Sequence, residues 1–318
     1  MRWRRVDEPR WRLVAWFAAV AATAVGIVGL LLHWIGPPWQ YVIVLAALAH
    51  YLMWAAPAGL LIAVALRRWW TSGAAALATV AVIAVQLPPN IADGGGHGRP
   101  FTVLQANLAV GRADPAALVR LVRKNHVDLL ATEELTTPEQ QRLIAAGLAT
   151  ALPYRYTRPL PDGGGGLGLW SRYPLRTPRD VPGFWLGVLE AQVELPGGAA
   201  TFVAVHLTPP YPYADDRWRR EIARLPGVLP RAGAVIAAGD FNATTDHAQF
   251  RDLLAHGYDD AAEQAGAGYL PTYPNDRWYG PVIGIDHVLV RGGFTAERAE
   301  TAELAGSDHR ALVVRVSR

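Results

Sequence analysis

The sequence contains no cysteine and has long stretches without any charged residue. The lack of cysteine excludes disulfides, thiolate catalysis and cysteine-ligated zinc. Lys124 is the only lysine, so the net charge of +3 comes from arginine. Several of these arginines lie at the N-terminus, and the excess charge is therefore weak support for nucleic-acid binding.

Two stretches near the N-terminus, residues 13–66 and 69–92, contain no Asp, Glu, Lys or Arg. A helix needs about 20 apolar residues to cross the hydrocarbon core of a bilayer. We therefore predict three transmembrane helices, the third being the shortest, at about 14–35, 41–66 and 71–87. Together they make residues 1–88 a membrane module.

The arginines beside these helices lie on one side of the predicted bundle. Those that precede the first helix are Arg2, Arg4, Arg5, Arg10 and Arg12, and Arg67 and Arg68 separate the second and third. Because cytoplasmic loops are enriched in Lys and Arg, the N-terminus is predicted to be cytoplasmic. Three crossings then make the protein a multi-pass protein of the cell membrane, with residues from 90 onward extracytoplasmic. A cleaved signal peptide is disfavoured, because the first apolar stretch is too long and two more follow.

The rest of the chain has the composition of a globular domain. Residues 89–100 are rich in Pro and Gly and are predicted to be a linker. Residues 101–318 alternate between strand and helix patterns, including a hairpin of "GVLEAQVEL" and "ATFVAVHL". This pattern predicts an α+β domain with two sheets packed face to face and helices outside. The glycines at 163–168 are predicted to form a flexible loop.

Polar residues interrupt the predicted strands of this domain at their ends. They are Asn107, Glu133, Glu134, His206, Asp240, Asn242, Asp286, His287, Asp308 and His309. Taken singly, an Asp or Asn after a strand is a turn former. Taken together they indicate one shared site, because a buried charge is costly unless it is paired or binds a metal. Carboxylate oxygens suit a hard divalent cation, so the set predicts metal-assisted attack on a phosphoester.

In chain order these segments resemble the endonuclease/exonuclease/phosphatase superfamily, the metal-dependent fold shared by DNase I, abasic-site endonucleases, sphingomyelinases and inositol-polyphosphate phosphatases. The segments are "QANLAV", "VDLLATEEL", "GLGLWSRYPL", "VAVHLTPP", "GDFNAT", "GIDHVLV" and "GSDHRALVV". They cover nearly all of residues 101–318. The resemblance implies a catalytic domain with a DNase I-like four-layer α/β-sandwich, two packed mixed sheets flanked by helices, preceded here by the three predicted transmembrane helices.

The resemblance also implies a metal site. Glu134 would bind Mg²⁺ or Mn²⁺, and Asn107 and Asp308 would help to form the site. A hydrolase with Mg²⁺ or Mn²⁺ as its cofactor is therefore expected.

The catalytic groups follow from the same resemblance. Asp240 would orient or deprotonate the attacking water, and Asn242 would donate a hydrogen bond to the phosphoryl oxygens. His309 would contact the phosphate, held in its tautomer by Asp286, and His206 would supply a second imidazole.

Two positions depart from the superfamily pattern. Glu133 replaces the usual Gln before the metal-binding Glu, and it either adds a carboxylate near the metal or points to the opposite face of the strand. Gly284 stands where an Arg often precedes the second Asp. His287 follows Asp286 on a strand and should point away from it, which predicts a core or surface role.

The membrane module narrows the choice of substrate. A short linker would hold the domain near the outer leaflet and raise its effective concentration for lipid-borne phosphates. Membrane-anchored bacterial members of the superfamily of the VanJ type, which are associated with teicoplanin resistance, look similar. That likeness implies a cell-envelope enzyme linked to antibiotic resistance, acting on a phosphoester or a polyprenyl pyrophosphate.

Two alternatives stay open. The first is an envelope-tethered, DNase-like nuclease, although the arginines of residues 215–224 alternate with acidic residues and are simpler to interpret as a solvated helix face. The second is a non-catalytic binding or sensor protein that retains the fold. The predicted partners are the lipid bilayer and a phosphate-containing substrate, with nucleic acid as the alternative, and no obligate protein partner is inferred.

Overall fold

The computed structural model of the protein describes residues 9–36, 38–96, 98–212 and 216–318. The chain divides into two compact units. Unit 1 contains residues 1–88 together with 246–248, and unit 2 contains residues 89–245 and 249–318. Arg2, Arg4 and Arg5, on which the predicted orientation partly depends, lie outside the described residues.

Unit 1 is built from apolar helices. Its helices are α1 (Arg10–Trp34), α2 (Gln40–Ala46), α3 (Ala49–Met53), α4 (Ala55–Ala65) and α5 (Trp69–Gln86). Only α1 and α5, among the described residues, are single helices long and apolar enough to cross a membrane. The segment Ala49–Ala65, which α3 and α4 form, is bent by 63° from α2, and the two parts together make a third span only if they are counted as one.

This geometry corrects the prediction for the second span. Residues 41–66 are not one straight helix, because the helix is interrupted by a turn at Ala47 and Leu48. The third span, predicted to be the shortest, is a continuous helix of 18 residues. Unit 1 therefore holds two or three candidate membrane spans.

Small residues allow the helices of unit 1 to pack closely. A Cβ atom added at Gly26 of α1 would lie 2.5 Å from the Cβ of Ala56 in α4. A Cβ at Gly59 would lie 2.5 Å from the hydroxyl of Thr23. Small residues at such crossings let helix backbones approach each other, which is the main source of helix association in a bilayer.

Three residues from later in the chain also belong to unit 1. Asp246 accepts a hydrogen bond from the backbone N–H of His50 at 3.0 Å, and its other oxygen lies 2.8 Å from Nδ1 of His33. Nε2 of His247 lies 2.9 Å from the carbonyl oxygen of Ile43. These contacts explain why residues 246–248 cluster with the helices.

Unit 2 contains twelve strands and six α-helices within its described residues. The strands are β1 (Phe101–Asn107), β2 (Leu129–Glu133), β3 (Tyr154–Arg158), β4 (Leu167–Ser171), β5 (Leu175–Asp180), β6 (Gly187–Leu195), β7 (Gly198–His206), β8 (Val235–Asp240), β9 (Asp259–Asp260), β10 (Asp286–Arg291), β11 (Thr295–Ala302) and β12 (Ala311–Ser317). The helices are α6 (Pro115–Lys124), α7 (Thr137–Ala145), α8 (Leu148–Ala151), α9 (Arg217–Val228), α10 (Ala248–Leu254, which begins in the segment of unit 1) and α11 (Ala261–Gln264).

The strands form two mixed sheets of six. The first has the order β11-β12-β1-β2-β4-β3 and the second the order β5-β6-β7-β8-β10-β9. Each sheet has one parallel pair at its centre, β1 with β2 and β7 with β8, and its other pairs are antiparallel. The hairpin predicted for β6 and β7 is present, with Leu195 opposite Gly198.

The main core lies between the two sheets. Side chains of both sheets meet there, including Phe202, Ile236 and Leu129. A second core lies between the first sheet and the helices α6, α7 and α8, with Trp170 buried in it. Asp114 caps α6 by accepting a hydrogen bond from the N–H of Ala116, as its sequence position predicts. Two mixed sheets with helices outside make this a DNase I-like fold.

Part of the predicted linker belongs to unit 2. Residues 89–96 lie in unit 2, where the N–H of Asp93 donates to the carbonyl of Gln264 and the N–H of Gly268 donates to the carbonyl of Pro89. His97, within the same stretch, lies outside the described residues. This part of the chain therefore packs on the segment 264–268.

Candidate active site

Five central strands bring polar residues to one end of the two sheets. Asn107, at the end of β1, pairs in register with Glu133 of β2. In the second sheet Asp240, at the end of β8, is in register both with His206 of β7 and with Asp286 of β10. The parallel pairs direct the carboxyl ends of their strands to the same edge, which is why residues far apart in the sequence meet.

Asp240 is the centre of this group. Its Oδ2 atom accepts a hydrogen bond from the amide of Asn107 at 3.2 Å. The same oxygen lies 3.6 Å from Nε2 of His206 and 3.8 Å from Nε2 of His309. Burial, followed by the charge of Asp286, raises the pKa of Asp240 to about 8. A buried carboxylate with such surroundings can act as a base once a positive charge lies nearby.

His309 and Asp286 form a buried pair. Nδ1 of His309 lies 2.8 Å from Oδ2 of Asp286. Burial acts to lower the pKa of His309, but the carboxylates of Asp286 and Asp240 outweigh it and raise the pKa to about 10. Burial likewise acts to raise the pKa of Asp286, but His309 outweighs it and lowers that pKa below its ordinary value. The pair is therefore an imidazolium held by a carboxylate.

Glu134 lies beside this group and is reached from solvent. Its backbone has a φ of 55°, a left-handed conformation that is rare for Glu, and its Oε1 atom lies 3.3 Å from the amide nitrogen of Asn107. Burial raises the pKa of Glu134. Strained backbone positions of this kind cluster at functional sites, because the surrounding structure must hold them.

His206 is held by the glycine-rich loop. Its Nδ1 atom lies 3.0 Å from the carbonyl oxygen of Gly164, so Nδ1 carries the proton and donates. Burial and the charge of His309 lower the pKa of His206 to about 4, which leaves this imidazole neutral. The loop predicted to be merely flexible thus orients a residue of the site.

Asn242 follows Asp240 after a sharp turn. Its φ is 49°, and its N–H donates to Oδ1 of Asp240 at 2.9 Å. Its side-chain amide donates to the carbonyl of Leu207 at 2.8 Å. One of the two amide protons is therefore used within the protein, and the other is the one that can reach a phosphoryl oxygen.

Asp308 is placed differently from the other predicted ligands. Its Oδ2 atom lies 3.2 Å from the guanidinium of Arg112, and its side chain is about one quarter exposed. The neighbouring Ser307 donates to the carbonyl of Asn107 at 2.7 Å and accepts from the N–H of His309 at 3.0 Å. The Ser-Asp-His segment is thereby fixed to β1, with Asp308 on its outer side.

Gln105, which the sequence did not single out, lies between Glu133 and the central group of the site. The amide of Gln105 donates to Oε2 of Glu133 at 2.8 Å and to Oδ1 of Asp286 at 2.6 Å. Burial, then Asp286 and Asp240, raise the pKa of Glu133 well above its ordinary value. Glu133 therefore faces the site through Gln105. The signal for Gln105 was its position two residues before Asn107, which places both on one face of β1.

Packing explains the residues found at positions 284 and 287. A Cβ at Gly284 would lie 2.6 Å from the carbonyl oxygen of Leu270, so no larger residue fits the approach to β10. His287 is buried, with Nδ1 2.6 Å from Asp260 and Nε2 2.8 Å from the carbonyl oxygen of Ala243. His287 therefore belongs to the core beside the site.

The chemistry of these residues fits a divalent cation. Among the described residues, one group has ligand atoms that all lie within 4.8 Å of one another, namely Asp240, Asp286 and His309. Several buried carboxylates face one imidazolium, and burial raises the pKa of both Asp240 and Glu134, so a bound cation would favour their ionised forms. Oxygen-rich sites of this kind suit Mg²⁺ or Mn²⁺.

The sequence-derived metal site and this group differ. The sequence assigned Glu134, Asn107 and Asp308 to the metal, whereas the compact group consists of residues assigned to catalysis. Both oxygens of Asp286 are already hydrogen-bonded, to Gln105 and to His309. The structure therefore brings the predicted residues together, with the Asp308 carboxylate at the margin beside Arg112, and their chemical roles stay predictions.

Comparison with known proteins agrees with this geometry. Residues 104–309 match the sequence profile of the Endonuclease/Exonuclease/phosphatase family. No curated protein sequence matches the chain closely enough to be recognised as a relative.

Solved structures are similar to unit 2 at low sequence identity. An endonuclease/exonuclease/phosphatase from Beutenbergia cavernae has 19% identity and a TM-score of 0.58, covering 69% of this chain and 72% of its own. D. rerio TDP2, complexed with single strand DNA product, has 20% identity and a TM-score of 0.57, covering 69% and 99%. Sphingomyelinase C from Streptomyces griseocarneus has 17% identity and a TM-score of 0.50, covering 69% and 100%. The chain belongs to the endonuclease/exonuclease/phosphatase family.

Proposed function

We propose that this protein is a membrane-anchored, divalent-metal-dependent phosphoesterase that acts at the outer face of the membrane. The observation that carries the proposal is the convergence of three polar side chains, from Asn107, His206 and His309, on one oxygen of Asp240. Families with this fold include both nucleases and lipid phosphodiesterases, so the fold alone does not select the substrate.

We assign the metal to Glu134 at the solvent side of the site, because the one oxygen of the neighbouring Asn107 side chain already accepts a hydrogen bond from the N–H of Ala109 at 2.9 Å. The Glu134 carboxylate is partly exposed, and a bound cation would lower its raised pKa. A bound Mg²⁺ or Mn²⁺ would neutralise charge on the phosphate and polarise its oxygens. Asp286 is a poorer ligand, because Gln105 and His309 already occupy its oxygens.

The protein's own groups would then bind and orient the reactants. Ionised Asp240 would accept a proton from the attacking water, and the imidazolium of His309 would donate a hydrogen bond to the phosphate. Asp286 keeps His309 charged and correctly oriented. The free amide proton of Asn242 would bind a phosphoryl oxygen as negative charge develops on it.

The membrane helices favour a substrate in the same membrane. Two or three apolar helices in unit 1 are consistent with anchoring, and an anchored enzyme meets lipid-borne substrates at a high effective concentration. We therefore propose a lipid phosphate of the cell envelope as substrate, for example a polyprenyl pyrophosphate, on the analogy of VanJ-type proteins. DNA is the competing substrate, since D. rerio TDP2 is described with a DNA product.

The substrate is tested with the full chain in lipid nanodiscs. Phosphate release from a polyprenyl diphosphate and nicking of plasmid DNA are measured in parallel with Mg²⁺ and with Mn²⁺. We expect release from the lipid and little nicking, with both lost in Asp240→Asn. Rapid nicking without release from the lipid would replace the proposed substrate with DNA. If neither substrate reacts, both proposed substrates are rejected.

The sidedness is tested separately. A reporter that is active only outside the cytoplasm is fused after residue 90, and a cytoplasmic reporter is fused at the same position. Activity of the first reporter alone is the expected result. A signal from the cytoplasmic reporter would overturn the proposed location at the outer face.

A further inference from the structure

A cavity of about 480 Å³ lies outside the group of residues centred on Asp240. Its lining is Gly183, Phe184, Trp185, Arg217, Arg220, Glu221 and Arg224. The three arginines stand at intervals of three and four residues on α9, so they share one face of that helix. Glu221 is the only acidic residue of this lining.

Both carboxylate oxygens of Glu221, the one acid of the lining, are used by backbone N–H groups. Glu221 is only 4% exposed, and its two oxygens accept hydrogen bonds from the N–H of Trp185 at 2.7 Å and of Thr208 at 2.8 Å. Asp216, at the start of the helix, forms its ion pair with Arg219, whose side chain does not line the cavity. Glu221 and Asp216, two of the acidic residues that alternate with the arginines in the sequence, are thus engaged outside the cavity.

Aromatic rings hold two of the guanidinium groups in place. Arg217 lies over the ring of Trp185 at 3.9 Å, a close cation–π contact, and Arg224 lies 6.0 Å from the ring of Phe184. Gly183 has a φ of 95°, and a Cβ there would lie 2.8 to 3.0 Å from the guanidinium of Arg224. No carboxylate in the described part of the chain forms an ion pair with Arg220 or Arg224.

The cavity is tied to the backbone of the candidate active site. Gly187, two residues after Trp185, is in register with His206, and Thr208 follows His206 by two residues. Two residues of chain span at most about 7 Å. The Glu221 hydrogen bonds therefore hold the cavity next to the strand end that carries His206.

We propose that this cavity binds a phosphate group other than the one that is hydrolysed. Arg is the side chain best suited to phosphate, because its planar fork donates two parallel hydrogen bonds. The phosphate belongs either to the substrate itself, as a second phosphoryl group, or to an anionic phospholipid beside it. The inference rests on the proposed phosphoesterase function, and the binding measurement below separates the two.

The first test compares two substrates on the full chain in phosphatidylcholine nanodiscs. The probes are geranyl diphosphate, with two phosphate groups, and geranyl monophosphate, with one. If the phosphate belongs to the substrate, Arg220→Ala and Arg224→Ala should each raise KM for the diphosphate about tenfold and leave kcat unchanged, as expected for a charge-assisted hydrogen bond. The monophosphate constants should not change. Arg219→Ala, on the same helix but outside the cavity, is the matched control.

Adding phosphatidylglycerol distinguishes the two sources of phosphate. If the cavity binds a lipid headgroup, this lipid will accelerate hydrolysis of both probes, and the arginine variants will lose the acceleration. If the second phosphate belongs to the substrate, the lipid has no effect and the difference between the two probes persists. Kinetic constants equal to wild type for both probes, with and without the lipid, would overturn the proposal, and so would an equal loss on the monophosphate in phosphatidylcholine alone.

Binding without turnover separates this inference from the proposed function. Inorganic pyrophosphate is titrated into full-length Asp240→Asn, and then into that chain carrying Arg220→Ala with Arg224→Ala. A loss of affinity of about tenfold or more supports the cavity even if no substrate is hydrolysed. Hydrolysis of the probes with equal pyrophosphate affinity in both chains would keep the enzyme and reject the cavity as a phosphate site.

Discussion

The Nδ1 atom of His309 lies 2.8 Å from Oδ2 of Asp286, although 23 residues separate them and they come from different sheets. Asp286 begins β10 of the second sheet, and His309 precedes β12 of the first. The pair thus joins the two sheets at the end where Asp240 also lies. Packing of the two sheets therefore brings the Asp286 carboxylate to the His309 imidazole, which faces the candidate site.

Replacing Asp286 by Asn should remove most activity without unfolding the chain. Asn keeps the size of the side chain but no longer holds His309 as an imidazolium, so kcat should fall by roughly 10³-fold while KM changes little. The measurement is steady-state hydrolysis of the substrate that the nanodisc assay identifies. His309→Ala should give a similar loss. His256→Ala changes an exposed histidine of the same unit and serves as the control. An unaffected kcat in Asp286→Asn would refute the role of the pair.

Metal binding should depend on Glu134 more than on Asp308. Glu134→Gln removes a charge from a partly buried oxygen ligand, so Mn²⁺ affinity should fall by about tenfold or more. The Asp308 carboxylate is 3.2 Å from Arg112, and Asp308→Asn should have a smaller effect. Mn²⁺ binding is followed by electron paramagnetic resonance.

The same titration discriminates between the two possible ligand sets. If Asp286→Asn abolishes Mn²⁺ binding and Glu134→Gln does not, the ion lies in the compact group of Asp240, Asp286 and His309. An equal loss in Glu134→Gln and Asp308→Asn would instead restore Asp308 as a ligand and require its ion pair with Arg112 to open.

The stability of unit 2 should depend on pH through His287 and Asp260. Both ring nitrogens of His287 face acceptors, so the ring is held doubly protonated. Burial acts to lower the pKa of His287, but Asp260 outweighs it and raises that pKa above its ordinary value. A raised folded-state pKa gives stability that is complete below the unfolded pKa of about 6.5 and is lost as pH rises through the folded-state pKa.

Asp260→Asn tests this directly, because Asn keeps the N-cap of α11 and removes only the charge. The variant should lose about 2 kcal/mol at acidic pH, and the difference in Tm from wild type should shrink as pH rises. Thermal unfolding is recorded between about pH 5 and pH 9, with the exposed Asp252→Asn as control. A difference that grows with pH would contradict the assignment.

Packing in unit 1 should be intolerant of bulk at Gly26. A Cβ there would lie 2.5 Å from the Cβ of Ala56, so Gly26→Leu must separate α1 from α4. A Cβ added at Gly73, on α5, would meet no described atom within 4 Å, and Gly73→Leu is the matched control. Thermal stability of the full chain in detergent should fall for the first variant and stay near wild type for the second. Equal stability of the two variants would show that α1 and α4 do not rely on this crossing.

Strands at the sheet edges were not foreseen from the sequence, for a physical reason. β5 contains a proline and is largely exposed, and β11 reads "TAERAETA", which lacks an apolar alternation. An edge strand has one neighbour and needs no buried face, so its residues carry little hydrophobic pattern. The central strands, such as β7 and β8, are buried along most of their length and were recognisable as apolar runs.

The break in the second apolar segment also had no sequence signal. No proline or glycine occurs at Ala47 or Leu48, where the helix is interrupted. Packing against neighbouring helices decides such a bend, since α3 and α4 both lie against α1. Hydropathy counts apolar residues and is insensitive to the direction of the helix axis.

The sequence by itself determined the apolar segments of unit 1, the family of unit 2 and the residue types that carry the chemistry. These features depend on local composition and on motifs such as "GDFNAT", which are readable without coordinates. Only the tertiary structure decided which of these residues lie close enough to interact. In the tertiary structure Gln105 donates hydrogen bonds to Glu133 and Asp286, and the Asp308 carboxylate lies beside Arg112. Arginines of α9 line a cavity. The reason is that distances between the ends of strands depend on sheet order and packing, which no single segment encodes.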